Sequence, residues 1–237
     1  MIETFTAVAN EALGIFGFGL CHQFPERTFD FGGVFWAVCA RCSGIYVGLV
    51  FAVIALLISY RGRQRHGFMT WHFWLFLGFG LAFMGWDGVS SYAGWRETTN
   101  FLRWVTGITM GASLAPLVYY LLINYLAKRS LDKPVMGGGA RPWVAVGLSL
   151  VVSFVFVYPL GTILSGVSGI LAALAIVATF SLLFLILLGI LKPWYRSIDS
   201  WRKLIVPGGI ATVLGFLLIM SISLLMVSQR VTTVTLS

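Results

Sequence analysis

GLCHQFPERTFDFGGVFWAVCARCSGIYVG, residues 19–48, holds all three cysteines of a 237-residue chain and leads directly into an apolar segment. The chain is 59% hydrophobic and 10% charged, whereas soluble domains carry about 25% charged residues. So few charges cannot cover a water-facing surface, and the mean hydropathy of +0.92 agrees. Lipid is therefore the solvent, and the run from Phe35 onward reads as the first membrane-spanning helix.

A spanning helix needs about 20 apolar residues. Six stretches meet that length: Phe35–Tyr60, Thr70–Tyr92, Phe101–Ala127, Trp143–Leu164, Val167–Leu191 and Leu204–Val227. Helix is required in each, because lipid has no partner for backbone N–H and C=O groups. Basic residues gather in alternate loops. Arg61, Arg63, Arg65 and His66 lie in the first, Lys128, Arg129, Lys133 and Arg141 in the third, and Lys192, Arg196, Arg202 and Lys203 in the fifth. Cytoplasmic loops carry such excess, so the odd loops are expected inside and both termini outside. The net charge of +8 is thus a topological signal and not a nucleic-acid footprint. Residues 1–20 carry Glu3 and Glu11 where a signal peptide would be basic, and are expected to form a short interfacial helix.

The expected architecture is an all-α integral membrane protein of about six transmembrane helices in the cell (inner) membrane. It divides into an extracytoplasmic interfacial segment (1–34), a three-helix half carrying the polar residues (35–127), a flexible cytoplasmic linker (128–142) and an apolar three-helix half (143–237).

This topology sends the chemically distinctive residues to one face. Cys39-Ala40-Arg41-Cys42 begins the first span, and residues three apart share a helix face. The helix N-terminus and Arg41 both favour thiolate. Cys21 and His22 arrive from upstream, completing the ligand set of a closed tetrahedral zinc site. Two other uses of the same atoms stay open: a structural disulfide, or a Cys39–Cys42 redox pair exchanging electrons with a quinone.

Beside the thiols stand Arg27, a candidate fork for phosphate or carboxylate, and Asp87, an ionisable group at the edge of a span. Asn100, Arg103, Thr106 and Gly107 recur at helical steps on the third span, where Thr99-Asn100 makes an N-cap. Arg103 is placed to pair with Asp87 or with a lipid phosphate. Gly44 and Gly48 on the first span, with Gly107 and Gly111 on the third, let those helices approach closely and bring Cys42 and Tyr46 toward Arg103.

The pattern Cys21-His22-Gln23-x-Pro25-x-Arg27-Thr28-Phe29, followed by Cys39-x-Arg41-Cys42-Ser43-Gly44-x-Tyr46-x-Gly48, resembles a prokaryotic family of predicted membrane proteins of unknown function. Asp87-Gly88 and Asn100-x-x-Arg103-x-x-Thr106-Gly107 are similar to that family's second signature. The likeness covers residues 19–111 and implies no activity.

The expectation from the residues is a zinc ion on Cys21, His22, Cys39 and Cys42 at the outer face. Arg27, Arg41, Tyr46 and Asn100 would bind a lipid or isoprenoid-phosphate headgroup beside it, with Asp87 and Arg103 at any reacting end. Whether the protein is an enzyme stays open. The other classes are an accessory subunit of a larger membrane complex and the quinone-linked oxidoreductase.

Overall fold

A computed structural model describes residues 2–21, 23–31, 33–61, 65–127, 131–137, 139–163, 165–191 and 201–235. Side chains are described for these residues except 2–6, 9, 31, 65–66, 131–132, 156–163, 165–166, 201 and 230–235. His22 lies outside the described residues, as do the topogenic Arg63, Lys128, Arg129, Lys192 and Arg196.

The described residues form seven α-helices: α1 (Ile2–Phe18), α2 (Ala40–Ser59), α3 (Trp71–Tyr92), α4 (Asn100–Leu126), α5 (Arg141–Ile163), α6 (Ser165–Leu191) and α7 (Trp201–Thr235). Among the described residues, α2, α3, α4, α6 and α7 are long and apolar enough to cross a membrane. In α5 the apolar stretch with described side chains is Arg141–Val155. The chain is a multi-pass, all-α membrane protein. Four short strands pair in twos: β1 (Asp30–Phe31) antiparallel with β2 (Val34–Phe35), and β3 (Arg65–Gly67) parallel with β4 (Leu131–Pro134).

Most helix boundaries fall where chain chemistry puts them. Thr70 precedes α3, and Thr99 caps α4 by accepting from the Leu102 N–H at 3.2 Å. The first span differs. Residues 35–39 are not helical, and α2 begins at Ala40 with Cys39 as its N-cap. Trp36, Ala37 and Val38 are apolar because they are buried in a non-helical approach to the helix, not because they face lipid. The Trp36 N–H bonds to the Phe29 carbonyl, and the Trp36 ring meets Phe29 and Trp104 edge to face.

The centre of the bundle is the α2–α4 crossing, made by glycine. A Cβ on Gly107 would lie 2.3 Å from the Arg41 carbonyl oxygen, and one on Gly111 2.1 Å from that of Ile45. From the other side, a Cβ on Gly48 would lie 2.5 Å from the Ile108 carbonyl oxygen. Helices in lipid gain by such close approach, because burial of apolar surface offers no drive between them. Around this pair, α3 packs on α4, α5 and α6 flank α2, and α7 packs on α6 and α1. The outward faces of α3, α5, α6 and α7 carry large exposed apolar side chains such as Phe79, Leu148, Leu174 and Leu217.

Alternation of the long helices collects the start of α2, α4 and α6 at one end with the close of α3 and α7. The Ser223 hydroxyl of α7 accepts from the Gly19 N–H and donates to the Phe16 carbonyl, both at 3.1 Å, so α7 passes beside the end of α1. The opposite end holds β3 and β4, drawn from the first and third loops. There Val135 and Met136, in the stretch expected as a linker, are buried, and Tyr60 accepts from the Met136 N–H.

Candidate functional site

The thiol end is assembled by short-range ties before any ligand is considered. The chain leaves α1 through a turn in which Leu20 and Cys21 both donate to the Gly17 carbonyl. Gln23 then adopts a left-handed backbone (φ 50°), and its side-chain amide donates to the carbonyls of Gly14 (2.9 Å) and Ala37 (2.6 Å). That amide fastens the end of α1 to the non-helical approach to α2. Gly17 is required there, since a Cβ would lie 1.7 Å from the Ala37 oxygen. Asn10 adds a second tie, donating to the Gly33 carbonyl and accepting from the Phe35 N–H across the β1–β2 turn.

These ties hold Cys21 over the first turn of α2. The sulfurs of Cys21, Cys39 and Cys42 all lie within 4.8 Å of one another, and all three are free, part-buried thiols. Tetrahedral zinc with Zn–S bonds near 2.3 Å sets its sulfurs about 3.8 Å apart. Closing the observed spacing onto one ion needs side-chain shifts of less than about 1 Å by that comparison. Hydrogen bonds from Cys39 and then Cys42 hold the Cys21 thiol far below its ordinary range, against the opposing effect of burial. A sulfur made acidic by two thiol donors at its side suits a cation. Cys21 and Cys42 pack against Ile176 of α6 and Ile219 of α7, so the apolar half walls off the cluster. Tyr46 belongs to this wall, with its ring 6.3 Å from that of Phe180, and not to the arginine group.

Asp87 is the second focus. Its side chain is 1% exposed and accepts from four groups on three segments. Arg41 donates to Oδ2 through both Nε (3.0 Å) and Nη2, Arg96 Nη2 to Oδ1 at 2.7 Å, Thr98 Oγ1 to Oδ1 at 2.7 Å, and Thr106 Oγ1 to Oδ2 at 3.4 Å. Two pairings expected from sequence are thereby rearranged. Arg41 turns from the thiols to the carboxylate, and Arg103 is not the partner of Asp87. A carboxylate so enclosed is satisfied at both oxygens. Arg96 and Thr98 were not among the expected site residues. The signal was faint: Gly94, at φ 71°, turns the chain after α3, and Trp95 donates back to the Ser90 carbonyl. That turn returns Arg96 to Ser90 Oγ (2.8 Å) and to Asp87.

Arg103 is buried in the first turn of α4. It donates to Asn100 Oδ1 at 2.9 Å, and Asn100 donates in turn to the Thr28 carbonyl at 3.2 Å. Arg27, on the 3-10 turn Pro25–Arg27, lies over the rings of Phe24 (5.0 Å) and Tyr92 (5.2 Å). Arg27, Arg41, Asp87 and Cys39 are all near enough to act on the charge of Arg103. The structure therefore brings together three thiols, four arginines and one carboxylate. Among the described residues, the carboxylate pairs with only two of the arginines, Arg41 and Arg96.

Comparison with known proteins places this whole group inside one shared segment. A family described as predicted membrane protein (DUF2085) matches residues 21–117. An uncharacterized protein of Methanothermobacter thermautotrophicus is 37% identical over 103 residues, which is 43% of this chain and 86% of the relative. Uncharacterized protein MJ1492 of Methanocaldococcus jannaschii is 36% identical over 103 residues, 44% of this chain and 62% of the relative. No solved structure matches significantly. The helices α5–α7 lie outside the matched residues.

Proposed function

We propose that this chain, which belongs to the DUF2085 family of predicted membrane proteins, holds a structural zinc ion at the extracytoplasmic mouth of its bundle and binds a phosphate-bearing lipid headgroup beside it. The observation that carries the reading is the mutual approach of the Cys21, Cys39 and Cys42 sulfurs within 4.8 Å. A lone disulfide needs two of those sulfurs and gives no reason for the third to join them. Three thiolates prefer a soft or borderline cation, and zinc with nitrogen as a fourth donor fits the adjacent His22. Four protein ligands leave no open position, so the ion would bind the N-terminal loop to α2 and activate no water.

The lipid part rests on charge and place. Four arginines and one buried carboxylate stand at the end of a bundle whose outer faces are apolar. Arginine forks match phosphate oxygens, and with the basic loops cytoplasmic this end meets the outer leaflet.

Cobalt substitution tests the metal part. Replacing zinc by Co²⁺ in the purified protein should produce thiolate-to-cobalt charge-transfer absorption of the strength that three sulfur ligands give. Absorption of two-sulfur strength, or none, would remove the three-cysteine site. Recovery of a stable Cys39–Cys42 disulfide from cells would favour quinone-linked thiol chemistry instead.

A further inference from the structure

We infer that Arg103 and Arg27 together seat a terminal phosphate, a phosphomonoester dianion, in preference to the singly charged phosphodiester of common bilayer lipids. The inference rests on the headgroup reading above and narrows it to a ligand class.

Arg103 is the starting point. It is only 9% exposed, and its sole hydrogen-bond partner among the described residues is the neutral Asn100 amide. A guanidinium withdrawn from water is normally held by a carboxylate or another anion. Asp87 lies close enough to act on its charge, yet its oxygens are taken by Arg41, Arg96, Thr98 and Thr106. The second guanidinium nearby, Arg27, has ring contacts with Phe24 and Tyr92 and no ion pair among the described residues. Glu26, Asp30 and Glu97 are exposed, and none of them forms an ion pair among the described residues. The thiol cluster offsets one charge only, because a zinc ion on three thiolates and a neutral histidine carries one net negative charge.

Charge balance then selects the ligand. Asp87 between Arg41 and Arg96 leaves one positive charge unmatched, Arg27 and Arg103 add one each, and the metal site offsets one, which leaves two among the enclosed groups, with Glu26, Asp30 and Glu97 exposed to water. A group with two negative charges relieves that excess better than one with a single charge. Access selects in the same direction. A phosphate that reaches a guanidinium as enclosed as Arg103 must enter end-on, with its oxygens leading. A phosphodiester carries a substituent on both sides and cannot do so, whereas a terminal phosphate has three free oxygens. The first turn of α4, from Asn100 to Arg103, adds the positive end of a helix dipole. The same chemistry could be delivered by a lipid with a terminal phosphate or by a soluble phosphate or pyrophosphate.

Native mass spectrometry of the zinc-loaded protein in detergent micelles, with phosphatidic acid or phosphatidylglycerol at equal concentration, distinguishes these cases. Phosphatidic acid should bind about tenfold more tightly, as expected for an extra charge-assisted contact. Arg103→Gln and Arg27→Gln should each abolish that preference while zinc per chain stays unchanged. If Arg103→Gln does not fold, Arg27→Gln, altered on an outer turn, decides alone. Pyrophosphate that displaces phosphatidic acid in the wild type, but not in the arginine variants, would support the class and assign a soluble source. Equal binding of the two lipids, lost together in Arg103→Gln, would overturn the monoester inference and leave the headgroup pocket standing. Absence of binding by both lipids and by pyrophosphate would overturn both.

Discussion

Arg41, the residue between the second and third thiol positions, is clasped to Asp87 on α3 through both Nε and Nη2. One side chain thereby joins the first turn of α2, where the sulfurs gather, to the last turns of α3. The turn that carries the thiols and the acidic residue are one mechanical unit, and disturbing either should be felt at the other.

Substitution of Asp87 tests that unit first. Asp87→Asn keeps the shape and removes the charge, leaving Arg41, 15% exposed, without its counter-ion. The loss should be about 3 kcal/mol, the lower end for breaking a buried pair. Arg96→Gln should cost about 1 kcal/mol, because Arg96 is 30% exposed and water replaces part of the contact. Reversible denaturation in micelles reads both. Equal, small effects would show that the carboxylate is not a structural hub.

Gly107→Ala addresses the helix crossing. The added methyl would meet the Arg41 carbonyl oxygen at 2.3 Å, and the obstacle is backbone, which cannot swing aside. Separation of α2 from α4 should cost about 1–3 kcal/mol, as overpacking does. It should also loosen zinc, because Cys42 rides on the displaced turn. Unchanged stability together with unchanged zinc retention would contradict the packing described.

How much of this was legible in advance follows the range of the interactions. The Gly44/Gly48 and Gly107/Gly111 crossing and the Thr99 cap are written in local spacing, and so could be read. The thiols could be grouped because three cysteines in a chain of this kind are conspicuous. The span beginning at Phe35 was misjudged because Trp36 and Val38 are as apolar inside a protein as they would be in lipid. The return of Arg96 to Asp87 depends on the turn at Gly94, which no periodicity reports. The hold of Ser223 on Gly19 spans 204 positions, and nothing local to either residue announces it.

The protonation of the thiols makes a separate prediction. Cys21 is held as thiolate by Cys39 and Cys42, so it has no proton to lose when metal arrives. Zinc binding by all three sulfurs near neutral pH should then release about two protons. A pKa depressed in the fold gives stability that is fully present above the ordinary thiol range and is lost progressively as pH falls from that range to the lowered value. The apo cluster should therefore keep its Cys21 thiolate in mild acid, while zinc affinity falls about a hundredfold per pH unit through the other two thiols. Calorimetry in buffers of different ionisation enthalpy counts the protons. A count of three would mean that Cys21 is an ordinary thiol.

Orientation can be tested in whole cells. Arg61 lies in the first basic loop, and Glu97 lies in the loop between α3 and α4. With the basic loops cytoplasmic, a membrane-impermeant maleimide should label Glu97→Cys in intact cells and Arg61→Cys only after permeabilisation. The reverse pattern would place the thiol cluster in the cytosol.

Metal content per chain decides most. Protein purified without added metal should carry close to one zinc ion per chain by elemental analysis, and Cys39→Ala should carry almost none while still forming the folded bundle. A wild type without stoichiometric metal, or a Cys39→Ala variant that retains its full complement, would show that the three sulfurs gather for some other purpose.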